Sequence, residues 1–297
     1  IFKRRRSMRN CCWKYIILIL LPAFNLIAQD YSWWNETQQW DGQSHWSSYM
    51  KVSPAFMGPN AFPIPFAEKM ILKPEFDVRF SNHFNTGETA RDVYMRFAFP
   101  LGEKASLKFS MNPIEYFEMD SVIRNDRVVR DEFPKGYASG DLLVEMNALI
   151  FKNKNTQFIF NLGLKTASGS QFRNARYTDS PAYYFDLSYH LEKSVTEDLS
   201  YDLGALLGLY VWQTYMVNNR QNDAILAAFT FNLSYKDYTL SNSLRGFKGY
   251  MRNGDFPLLY SAKISRNWNT CELYLQQQLS LHDFPYNSIQ LGFKLYL

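Results

Sequence analysis

The last ten residues, SIQLGFKLYL, keep a period of two up to the final residue. Ile289, Leu291, Phe293, Leu295 and Leu297 form one apolar row, and Gln290, Gly292, Lys294 and Tyr296 fall between them. Successive side chains of a strand point to opposite faces, so this stretch is a β-strand with one face in an apolar medium. Chain ends of soluble proteins are usually frayed and polar. An apolar row that runs to Leu297 points instead to a strand closing a sheet within a membrane.

The same alternation recurs from Glu75 onward, over 75–84, 91–100, 105–114, 139–151, 157–166, 182–192, 200–212, 224–235, 238–250, 257–267, 271–281 and 287–297. Most of these segments have about the 9 to 11 residues that cross a bilayer when tilted. Representative apolar rows are Val93, Met95, Phe97, Phe99; Tyr183, Phe185, Leu187, Tyr189, Leu191; and Phe229, Phe231, Leu233, Tyr235. Short connections (101–104, 152–156, 193–199, 236–237, 268–270) alternate with a second set (85–90, 115–138, 167–181, 213–223, 251–256, 282–286) that holds every long one. Membrane barrels place short turns on the periplasmic side and long loops outside, whereas a soluble sandwich does not require that parity. The expected fold is all-β: an antiparallel transmembrane β-barrel of about twelve strands over residues 75–297.

Composition agrees with that expectation and removes other classes. A mean hydropathy of -0.32 is too polar for a bundle of membrane helices, and 17% aromatic residues suit strands and membrane interfaces. The net charge of +4 is small and the basic residues are scattered, so no nucleic-acid surface is expected. Cys271 stands apart from Cys11 and Cys12, and the four histidines lack ligand spacing, so no disulfide, metal or cofactor is expected.

Ahead of the barrel lie two different segments. Residues 3–10 (KRRRSMRN) are basic and 13–28 are mostly apolar, with Leu26 and Ala28 at positions that suit signal-peptidase cleavage. Residues 1–28 therefore read as a signal peptide, with Met8 as the expected true start. Residues 29–74 carry Trp33, Trp34, Trp40 and Trp46, then Pro54, Pro59, Pro63, Pro65 and Pro74. That proline density prevents a continuous helix or strand, so the segment reads as an irregular periplasmic arm or a plug in the barrel mouth. Its tryptophans suit a local hydrophobic staple better than a sugar platform.

The closing strand resembles that of bacterial outer-membrane β-barrels, with Leu297 where that family most often has Phe. The AQD at 28–30 is similar to signal-peptide ends of Bacteroidota, and FMGPNAFPIP at 56–65 resembles a segment of uncharacterised Bacteroidota barrel proteins. The resemblance implies the outer membrane of a Gram-negative cell, a lipid environment, and contact with the barrel assembly machinery through the C-terminal strand. Other outer-membrane proteins are further partners it allows.

With the apolar row facing lipid, the opposite row carries Asp77, Arg79, His83, Arg96, Lys108, Glu145, Lys165, Asp186, His190, Glu192, Asp202, Arg245, Lys263, Glu272 and Lys294. Charges of both signs inside a narrow barrel form either a salt-bridged filling or a selectivity lining. The expected function is a channel or transport-associated barrel for small polar solutes, and the alternative is a non-conducting accessory or scaffold barrel. A lipid hydrolase is a second alternative, because some outer-membrane phospholipases also have twelve strands. Their His and Ser stand two apart in a motif similar to HDSNGR. Here the nearest pair, Ser188 and His190 in LSYHLE, has the reverse order, and SNSLRG at 241–246 lacks the His, so no catalytic residue is assigned. The longest outside loop, 115–138, is long enough to act as a lid.

Overall fold

The computed structural model describes residues 30–297. The expected signal peptide lies outside them. One antiparallel sheet contains β1 (Glu75–Asn85), β2 (Glu88–Leu101), β3 (Ala105–Met119), β4 (Lys135–Ala138), β5 (Leu143–Lys152), β6 (Thr156–Lys165), β7 (Ala182–Ser194), β8 (Leu199–Gln213), β9 (Gln221–Tyr235), β10 (Tyr238–Gly249), β11 (Leu258–Asn267), β12 (Cys271–His282) and β13 (Asn287–Tyr296). Each wall strand pairs with the next along the chain, β3 reaching β5 past the short β4, and the β1–β13 ladder closes the sheet. The short β4 pairs only with the far end of β3, so twelve strands form the wall. Closure leaves no unpaired edge, which a sheet in lipid requires.

Alternation sets the two faces of this wall. Phe80, Leu187, Leu207, Phe229, Ile264 and Leu291 stand exposed on the outside, while Ser81, Ser188, Thr230, Ser261, Gln276 and Gln290 on the intervening positions are buried. In water the outer face would be unstable, and in a bilayer it is the lipid-facing belt. The closing strand follows its expected register, with Leu291 opposite Phe80 and Leu275 on its two neighbours.

Several boundaries differ from the sequence reading. Residues 88–90 and 115–119, expected as loop, are laddered together from Glu88↔Met119 to Asp92↔Glu115. This hairpin projects beyond the apolar belt, where the outer face has no lipid to match and the alternation loses its apolar row. The rest of the expected 115–138 loop holds a short helix (Ser121–Asp126), capped by Asp120 accepting from Val122 N and Ile123 N at 2.9 Å each, and then β4. Residues 139–142 precede β5 and are not strand.

Residues 30–74 are packed on and inside the barrel. The first part lies over the long-loop end: Trp34 Nε1 donates to Val128 O at 3.2 Å, Ala55 N to Gly254 O at 3.1 Å, and Trp46 stacks near Phe172. Arg130 lies over the rings of Tyr31, Trp34 and Trp46, so these tryptophans grip the loop as a staple. The chain then descends through the lumen. Met57, Ala61, Phe62 and Ile64 join Tyr184, Leu206, Tyr210, Trp212, Leu226 and Phe247 of the wall in one apolar core. At the short-turn end Met70 N donates to Gln157 Oε1 at 3.1 Å, and Pro74 O accepts from Leu297 N at 2.8 Å.

Candidate functional site

Beside the apolar core the lumen holds a cavity of about 750 Å³, bounded by residues 59–73 on one side and by the strands on the other, with His83, Asp141, Lys165 and Phe284 in its lining toward the long-loop end. Leu72, Lys73, Ser200, Asn267 and Tyr296 carry its lining to the rim at the short-turn end. It is a vestibule along which the proline-rich segment runs.

Thirteen of the fifteen lumen-facing residues singled out in the sequence line this vestibule: Asp77, Arg79, His83, Arg96, Lys108, Glu145, Lys165, Glu192, Asp202, Arg245, Lys263, Glu272 and Lys294. Asp186 and His190 are buried and sit outside the cavity. Asp186 accepts from Asn161 at 2.5 Å, and His190 lies 3.7 Å from Asp202, beyond hydrogen-bond reach. Within the vestibule most charges are paired. Arg96 reaches Glu68 at 2.9 Å and Glu75 at 2.8 Å, Lys108 reaches Glu68 at 2.7 Å, Lys263 reaches Glu272 at 3.0 Å, and Lys165 reaches Asp141 at 2.6 Å. Glu68 belongs to the descending segment, so two wall cations hold that segment electrostatically. Lys69 makes the reciprocal contact with Glu192 at 3.1 Å.

Toward the long-loop end a second polar cluster locks the segment. Arg176, fully buried, donates to Glu88 and, through Nε at 2.7 Å, to Glu115. Arg127 donates to Glu88 at 2.5 and 3.1 Å, and the Tyr286 hydroxyl to the same carboxylate at 2.8 Å. Asn60 bridges to Asp92 at 2.7 Å and Glu115 at 3.1 Å. Burial alone would lower the Arg176 pKa, but Glu115 and then Tyr286 and Glu88 outweigh it and hold it well above the ordinary value. A Cβ on Gly58 would lie 2.6 Å from Arg176 O, so only glycine allows this approach, which carries the bond from Gly58 N to Ala175 O at 2.8 Å. Gly58 and Asn60 belong to the FMGPNAFPIP stretch, whose role as the lock of the lumen was invisible in sequence because its partners lie far along the chain.

One arrangement resembles a nucleophilic triad. His83 Nδ1 lies 2.6 Å from Ser288 Oγ, and His83 Nε2 lies 2.6 Å from Asp92 Oδ2. Sequence spacing hides it, because the β1–β13 ladder sets His83 opposite Ser288. Ser288 is only 1% exposed, on a laddered strand whose amides are committed, and Asp92 is shared with Asn60. The three residues therefore serve as a buried pin for the lumen segment. The pair considered in sequence, Ser188 and His190, is buried with Ser188 accepting from Asn161 at 3.1 Å.

No protein-family model matches the sequence, and no curated protein matches it. Solved structures do resemble the fold. An outer-membrane channel from Pseudomonas putida F1 is 10% identical with a TM-score of 0.53, over 78% of this chain and 98% of that one. The KdgM porin is 13% identical with a TM-score of 0.47, over 74% and 99%. LpxR from Salmonella typhimurium is 9% identical with a TM-score of 0.44, over 74% and 100%. With its closed twelve-stranded wall and apolar outer belt, the chain is an outer-membrane β-barrel in fold, similar to that Pseudomonas putida channel.

Proposed function

We propose that this chain is an outer-membrane channel for small polar solutes, held shut in this conformation by residues 56–71. The observation that supports it most is the vestibule: a wall built to carry solvent and charge, reaching the short-turn rim, is occupied by a segment held largely through side-chain contacts, with backbone ties at Gly58 and Pro74. A barrel that never conducted would gain more from an apolar filling than from paired charges around a cavity of this size. The resemblance of FMGPNAFPIP and of the leader supports a Bacteroidota-type, Sec-exported protein, and β13 suits recognition by the barrel assembly machinery. The buried state of Ser288 and the lack of a free amide beside it support a non-enzymatic role.

The test is conductance in planar bilayers for the intact protein and for a variant lacking residues 30–67. The intact barrel should be closed or nearly so, and the variant should conduct. A heat-modifiable, correctly folded variant that stays silent would leave the scaffold reading in its place. That second reading is favoured by the filled upper lumen and by exposed apolar side chains on the outer loops, such as Phe133, Val122 and Val217.

A further inference from the structure

Seven cations of the wall line the vestibule, and Arg79 and Arg245 are the two that make no ion pair among the described residues. An arginine on a barrel's inner wall without a carboxylate partner leaves a forked donor facing the cavity, and that requires an explanation. Asp77 is the natural partner of Arg79, two residues away on the same face of β1. It is instead engaged by the Tyr274 hydroxyl at 2.8 Å. Tyr274 gets there by lying across Gly292, where a Cβ would stand 2.0 Å from its ring. Arg79 is left on the face of Tyr94, 4.3 Å from the ring centroid, with no hydrogen bond from its guanidinium to any described residue.

Arg245 is only 8% exposed and lies near enough to Arg79 for the two charges to act on one another. Its terminal nitrogens hold Ile64 O and Gln278 Oε1, its plane covers Phe66 at 3.6 Å, and its Nε has no partner. The wall between the two arginines carries amides and hydroxyls beside the paired Lys263 and Glu272. Gln276 Nε2, Gln290 Oε1, Ser243 Oγ and Ser261 Oγ are all buried without hydrogen-bond partners. A forked cation beside a surface of spare amides and hydroxyls is the complement of a carboxylate attached to a hydroxylated body.

We propose that the vestibule binds a small hydroxylated carboxylate, with the acid group on Arg79, positive potential from Arg245, and the hydroxyl-bearing body along Gln276 and Gln290. The inference rests on the channel reading, for which it names a solute class. Arg79 is the binding residue, and the Gly292–Tyr274–Asp77 arrangement keeps it free.

The probe is D-gluconate, titrated calorimetrically into the intact protein in detergent at low ionic strength, with D-glucitol as the uncharged counterpart and inorganic phosphate as a second anion. Gluconate should bind and glucitol should not. Arg79→Gln should weaken gluconate binding at least tenfold, Arg79→Lys should weaken it less, and Arg91→Gln, on the exposed face, should leave it unchanged. No binding to the intact protein, equal binding by a heat-modifiable Arg79→Gln barrel, or a preference for phosphate would each overturn the proposal. The titration involves no flux, so a barrel that binds gluconate but never conducts fails the channel reading alone, and one that conducts without binding it fails this inference alone.

Discussion

Replacing Arg176 by Met should destabilise the barrel by an amount that the surrounding carboxylates determine. The substitution keeps a long apolar stem and removes the donors to Glu115 and Glu88. Glu88 remains compensated by Arg127 and Tyr286, whereas Glu115 is left with the Tyr177 hydroxyl at 2.9 Å and the Asn60 amide at 3.1 Å. The cost is that of one uncompensated buried carboxylate, for which removing a partner typically costs about 3 to 5 kcal/mol. The expected deficit is therefore about 3 to 5 kcal/mol at pH 7. Urea unfolding followed by tryptophan fluorescence measures it. A deficit under about 1 kcal/mol would refute the role given to Glu115.

Leu291→Arg places a charge in the lipid belt and should cost about 2 to 4 kcal/mol in a refolding titration, whereas Ser234→Lys on the inner row should be tolerated; equal effects would mean that the two faces are misassigned. Gly292→Ala should displace the Tyr274 ring, cost about 1 to 3 kcal/mol as overpacked sites do, and release Asp77 to pair with Arg79. Gluconate binding should then fall with stability, and a variant that keeps both unchanged would remove the reasoning about Tyr274.

The wall was legible because lipid imposes a rule that every strand must obey. Phe229, Phe231 and Leu233 announce β9 without reference to any other part of the chain. Where lipid stops, legibility stops with it: Glu115 to Met119 pair with Glu88 to Asp92 yet carry no continuous apolar row, so they read as loop. The lumen was half legible. Alternation named the side chains that point inward but not their partners, since Glu68 and Asn60 come from a segment with no period. Asn60 and Gly58 take their meaning from Asp92, Glu115 and Arg176, and Ile64 meets Arg245 across 181 residues. Pairing of that kind follows from threading, which no local pattern encodes.

That threading has a consequence for assembly. The chain reaches Asp30 at the long-loop end, passes down the lumen, and is tied at Pro74 to Leu297 before β1 begins. A cord inside a hoop cannot be inserted sideways once the hoop is shut. Either its leading end travels through the finished ring, or the ring is drawn closed around it. The ladder from β1 to β13 is therefore the seam whose timing matters, and a barrel that sealed early would strand these residues on the wrong side of the membrane.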